Sequence, residues 1–156
     1  MRRAMMIRRF LVAALAGACL LAPAASHAQP QAGIAVENAW TNPPPIPAAP
    51  AAGYLRLRNN GSAPDRLLAV SSPRAGRIEM HEMQMNGAMM SMRLLPYGVS
   101  IPAGGVFEFN DRGAHLMIIG LDRPLHAGDT LPLHLHFQHA GDVQATMQVR
   151  DRGARP

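Results

Sequence analysis

Six of the eleven methionines lie between Met80 and Met92, and His81 sits among them. The run reads Ile78-Glu79-Met80-His81-Glu82-Met83-Gln84-Met85-Asn86-Gly87-Ala88-Met89-Met90-Ser91-Met92. Farther along come His115 and Met117. Residues two apart on a strand project to one side, so this imidazole and thioether would point together. Thioether sulfur is neutral, soft and weakly basic. It suits magnesium, calcium and ferric iron poorly and zinc only moderately, whereas monovalent copper matches mixed Met/His ligation. Thioethers bind without losing a proton, so proton competition falls on the imidazoles, and binding is expected to weaken where imidazoles protonate.

These donors need elements that bring them together. Asn86-Gly87 is a strong hairpin signal, because both residues tolerate the positive φ of a type I′ turn. A two-residue loop there pairs Met85 with Ala88, His81 with Met92 and Met83 with Met90. Directly opposed residues have Cβ atoms about 4.5–5.5 Å apart. His81 and Met92 on the hairpin, with His115 and Met117 on a second strand, could then complete one four-coordinate Cu(I) site if the fold brings that strand end near the hairpin. Met83 and Met90 share that face as shielding neighbours or substitute ligands. Met80 and Met89 have the opposite parity and are expected in the core, while Met85 and Met147 carry no assigned role. His134 and His136, with His139 nearby, could bind Cu(II) or zinc weakly, but a polar strand face is the preferred reading. A single Met-rich strand can also be adaptable core filler.

The rest of the chain is patterned for β-structure. Tyr54 to Arg58 alternates and is followed by Asn59-Asn60-Gly61. Arg66 to Ser71, Val106 to Asn110, His115 to Leu121 and Val143 to Val149 are further short segments bounded by Gly, Pro, Asn or Asp. Leu131, Leu133, Leu135 and Phe137 alternate with His134 and His136. Thr41 to Ala52 contains five prolines and is expected to be an extended loop. No long window keeps a 3.6 period. The pattern predicts seven to nine short strands in a single-domain antiparallel β-sandwich or barrel. Trp40 is expected to be a core or loop-packing residue.

Residues 1–28 read as an export signal. Arg2, Arg3, Arg8 and Arg9 precede an apolar stretch from Phe10 to Pro23, and Ser26-His27-Ala28 is a small-x-small cleavage site. The 29–156 remainder would hold eleven arginines against ten acids, so the net charge of +5 belongs mainly to the leader. That balance excludes a nucleic-acid-binding surface. The only cysteine, Cys19, falls within the leader, which would leave the mature chain without a thiol. A lipoprotein cut before Cys19 is the rival reading, although Ala16-Gly17-Ala18 lacks the usual leading Leu. Exported thiols are lost to oxidation and disulfide formation, whereas thioethers cannot form disulfides. The expected location is the periplasm.

His81, Met92, His115 and Met117 are separated by ten, 22 and one residues. With their flanks they resemble the PCuAC-type periplasmic copper chaperones, from whose usual pattern the middle gap differs by one residue. Supporting stretches are Ala39-Trp40, Ala51-Ala52-Gly53-Tyr54-Leu55, Asp65-Arg66-Leu67-Leu68, Ile101-Pro102-Ala103-Gly104-Gly105 and Ala127-Gly128-Asp129-Thr130. The resemblance implies a cupredoxin-like fold that binds Cu(I) near one end. It also implies delivery toward the CuA centre of cytochrome c oxidase subunit II, alongside a Sco-type partner. Some relatives carry a His/Met-rich C-terminal extension, which the ending Val149 to Pro156 does not resemble.

The expectation is a monomeric carrier rather than an enzyme. Copper buffering or storage, or a structural β-domain without metal, are the alternatives. A blue-copper electron carrier would need a thiolate in a His2Cys set. A metal-dependent exported enzyme would need a carboxylate at motif spacing, and Glu82 has the wrong parity relative to His81.

Overall fold

A computed structural model describes residues 33–46 and 49–151. The expected leader, the cleavage site after Ala28 and Cys19 lie outside the described residues. The described residues form ten strands and no helix: β1 (Ile34–Thr41), β2 (Ala51–Asn59), β3 (Asp65–Ser71), β4 (Ala75–Asn86), β5 (Met89–Leu94), β6 (Val99–Ile101), β7 (Val106–Phe109), β8 (Ala114–Leu121), β9 (Thr130–Phe137) and β10 (Gly141–Val149).

Period-2 patterning explains most of them. In β2, Ala51, Gly53, Leu55, Leu57 and Asn59 are buried while the residues between are partly exposed. In β9, Leu131, Leu133, Leu135 and Phe137 are buried, and His134 and His136 face solvent. The proline-rich segment is loop in the described residues between Asn42 and Pro50, but it is shorter than expected at both ends, because Thr41 closes β1 and Ala51 and Ala52 open β2.

Laddered neighbours run β5-β4-β8-β2-β1-β10-β9-β3-β6, with β7 also beside β2. The sheet folds back on itself, so β3 meets β4 and β6 meets β2 and β7 without sharing a ladder. This makes the two layers of a β-sandwich around one core, in which Leu55, Leu57, Leu67, Leu116, Ile118, Leu133, Leu135 and Met147 are buried. β2 serves two partners in turn: Ala51–Gly53 pair with β8, and Leu55–Arg58 with β7.

Two expectations need correction. Among the described residues the strands number ten rather than seven to nine. β1 lacks clean alternation because its register with β2 shifts between Glu37 and Trp40, where Asn38 takes a positive φ of 49°. β6 is a three-residue strand, too short to show a period. The sheet is also not wholly antiparallel, because β1 and β10 run parallel, joined at Trp40↔Gln148 and Thr41↔Val149. Trp40 is buried there, packed on Tyr54 with ring centroids 4.6 Å apart and with Arg150 over its face.

Asp65 fastens the layer opposite the methionine hairpin. Its carboxylate accepts from the backbone amides of Arg66 (2.7 Å), His139 (3.0 Å) and Ala140 (2.8 Å), tying β3 to the β9–β10 turn. Burial opposes its charge, but the amides outweigh it and hold the carboxyl below its ordinary range. A depressed folded-state pKa contributes stability above the unfolded value and loses it as pH falls through the folded one. Asp65→Ala should therefore cost about 1–3 kcal/mol at neutral pH. Urea unfolding followed by Trp40 fluorescence should show the gap between parent and variant closing as pH falls below about 4.

Candidate metal centre

β4 is laddered on both sides. Toward β8 the pairs are Ile78↔Ile118, Glu79↔Met117, Met80↔Leu116 and His81↔His115. Toward β5 they are His81↔Leu94, Met83↔Met92 and Met85↔Met90. Met80, Leu116 and Ile118 belong to the core. Alternation therefore turns Glu79, His81 and Met83 of β4, His115 and Met117 of β8, and Met90 and Met92 of β5 to the outer face.

The hairpin register differs from the expected one by two residues. The turn residues are Gly87 and Ala88 rather than Asn86 and Gly87, and Met85 pairs with Met90 instead of Ala88. Gly87 has φ 64° and Ala88 does not have a positive φ, the pattern of a type II′ turn with Gly first. A slip of two keeps every side chain on its face, so alternation alone could not discriminate. Cross-strand partners decide it. In the observed register Arg93 opposes Glu82, with Nη2 donating to Oε2 at 2.8 Å. Leu95, packed on the core, donates its amide to the Met80 carbonyl at 2.8 Å. The expected register would have set Arg93 against buried Met80.

His81 and Met92 still meet, but diagonally. The Met92 thioether reaches along the hairpin until its Sδ lies 2.9 Å from His81 Nδ1. Across the other ladder the His81 and His115 rings stand 6.0 Å apart at 65°. His115 is buried, and its Nδ1 lies 3.4 Å from the Gly113 carbonyl oxygen. Met117 stands one row along, between Glu79 of β4 and Ala52 of β2. All four expected ligands thus share one outer face of three adjacent strands. Met83 is half-buried directly across from Met92, whereas Met90 is two residues nearer the turn and 65% exposed.

Met80 is in the core as expected, and so is Met147, to which no role was given. Met89 is not, being 74% exposed, because it is the first residue after the turn and no described residue covers that end of the hairpin. His136 Nδ1 contacts the Asp142 carboxylate at 2.6 Å. His139 uses its backbone amide on Asp65. Among the described residues no three His, Cys, Asp or Glu side chains form a group that could hold a metal ion.

Glu79 was not singled out from the sequence. Its Oε2 lies 2.9 Å from His81 Nε2, and its Oε1 accepts from Arg77 Nε at 2.7 Å. The Arg77 hydrogen bond, then that of His81, holds the Glu79 carboxyl below its usual range. The spacing Glu79-x-His81 was the available signal, since it gives the two residues one face. Tyr54 shares the face of Ala52, and burial, then the charge of Asp111, pushes its hydroxyl pKa up.

The family described as "Putative lipoprotein LpqE-like" matches residues 34–149. The chain belongs to the LpqE-like family. A relative from Leifsonia xyli subsp. xyli, "Putative lipoprotein Lxx21020", is 27% identical over 119 residues, covering 76% of this chain and 70% of its own. Solved structures similar to this LpqE-like chain include the "Apo PCuAC domain from PmoF1" (27% identity, TM-score 0.57, 76% of this chain and 94% of that one). The "Solution structure of CuI-DR1885 from Deinococcus Radiodurans" is 26% identical with TM-score 0.59, covering 83% and 85%. The "Copper-bound PCuAC domain from PmoF2" shares the fold at 21% identity and TM-score 0.63, covering 76% and 93%.

The register is open to direct measurement. Leu95 bonding to Met80 makes Met83/Met92 and Met85/Met90 the closely spaced, non-hydrogen-bonded pairs. Nuclear Overhauser contacts between Hα protons should join Met83 to Met92 and Met85 to Met90. Contacts from Glu82 to Ser91 and from Gln84 to Met89 would instead report the Asn86-Gly87 turn.

Proposed function

We propose that this chain is an exported Cu(I) carrier that holds the ion with His81, Met92, His115 and Met117. The observation that carries the reading is the short contact between His81 Nδ1 and Met92 Sδ, 2.9 Å, on the face that also bears His115 and Met117. Metal–imidazole and metal–sulfur bonds of about 2.0 and 2.3 Å at a tetrahedral angle set their donor atoms roughly 3.5 Å apart. Admitting an ion between them asks the half-exposed Met92 side chain to withdraw by about 0.6 Å.

Both donor classes are neutral, so the bound ion keeps its own charge beside a buried imidazole. Desolvation favours the monovalent ion over a divalent one, as thioether softness does. The names of the relatives agree with this chemistry, since one of them is a CuI form and two are PCuAC domains more generally. Ligands drawn from an edge hairpin can be displaced one at a time, which suits transfer. The proposed recipient is the CuA site of cytochrome c oxidase subunit II, with a Sco-type protein as partner.

Residues 1–28 would direct export and be removed after it. A second reading is favoured by the lipoprotein names of the family and its relative: cleavage before Cys19, with lipid on that residue. Intact-mass analysis of the exported protein distinguishes a chain starting at Gln29 from a lipidated one starting at Cys19.

Competition with a chromophoric chelator should give one Cu(I) per chain. Met92→Ala and His115→Ala should each weaken binding by more than about tenfold, no less than the loss of an outer-shell partner. X-ray absorption should show a shell of sulfur and imidazole nitrogen. Parent-like affinity in both variants, or a shell without sulfur, would sink the assignment.

A further inference from the structure

On the outer face an Arg–Glu pair outside the proposed ligand set runs up to His81. Arg77 Nε donates to Glu79 Oε1 at 2.7 Å, Glu79 Oε2 stands 2.9 Å from His81 Nε2, and His81 Nδ1 faces Met92 Sδ at 2.9 Å. Arg77, Glu79 and His81 are alternate residues of β4, so strand parity alone lines them up. The order matters chemically. A neutral imidazole has one N–H and one lone pair, and the partner of one nitrogen dictates the role of the other. A carboxylate only accepts, so the nitrogen beside it must carry the proton.

We infer that Glu79, anchored by Arg77, is a positioning residue that fixes His81 with its proton on Nε2 and its lone pair on Nδ1, aimed at the thioether of Met92. The inference rests on the copper reading for its purpose but not for its geometry. Hydrogen-bonding a ligating imidazole through its remote nitrogen orients the ring and raises its basicity. His115 is handed the opposite way, since its Nδ1 faces the Gly113 carbonyl, which accepts, and its lone pair is then on Nε2. The two imidazoles would thus approach one ion through different nitrogens. Glu82, on the same strand but the other face, is engaged by Arg93 and lies outside this chain of contacts.

The test has one arm without metal. At a pH where imidazoles are neutral, nitrogen-15 correlation spectra of the apo protein should show His81 with a protonated, hydrogen-bonded Nε2 and a bare Nδ1. Glu79→Ala should lose the hydrogen-bonded shift and the slow exchange of that proton, and Glu79→Gln, whose amide oxygen still accepts, should restore part of both. Cu(I) affinity should fall about 10–100-fold in Glu79→Ala, recover partly in Glu79→Gln and stay at the parent value in Glu108→Gln, an exposed carboxylate of β7 away from the hairpin. A proton on Nδ1 in the parent, or an unchanged Nε2 signal and affinity in Glu79→Ala, would overturn the inference. If the proton signature behaves as expected while the parent binds no Cu(I), Glu79 orients His81 as argued and the carrier reading fails.

Discussion

Everything at the candidate site depends on β4 being hydrogen-bonded on both sides. His81 faces His115 across one ladder and Leu94 across the other, and its ring meets Met92 along the diagonal. A strand with a partner on each side cannot turn its face without breaking both ladders. The buried row Met80, Leu116 and Ile118 locks that face, because rotating it would drive apolar side chains into water. Hydrophobic burial behind the sheet thus holds polar and sulfur donors in place in front of it.

Much of this was legible in the sequence, because parity is a local property. Alternation in β2 and β9, the hairpin and the common face of His115 and Met117 all follow from period 2. What alternation cannot supply is register, since a slip of two residues leaves every face unchanged. The observed turn at Gly87-Ala88 is selected by the Glu82–Arg93 ion pair and by Leu95 beside Met80, contacts that a turn-dipeptide rule does not weigh. Met89 shows the other limit: opposite parity predicts burial only where another layer lies behind the strand.

β1 and Glu79 escaped notice for different reasons. β1 carries a bulge at Asn38, so its pattern breaks where a period is sought. Glu79 was hidden by its ordinariness, since carboxylates are common on exposed strands and only the partners of its two oxygens set it apart.

The exposure gradient along the hairpin has a chemical consequence. Thioethers are oxidised to polar sulfoxides according to their access to solvent. Met89, Met90 and Met85, at 74%, 65% and 62% exposed, all lie nearer the turn than Met92, at 48%. An oxidant arriving from outside therefore meets three expendable sulfurs for each one that touches His81. The sulfurs of the hairpin tip are thus presented to an oxidant ahead of Met92, and access alone orders their susceptibility.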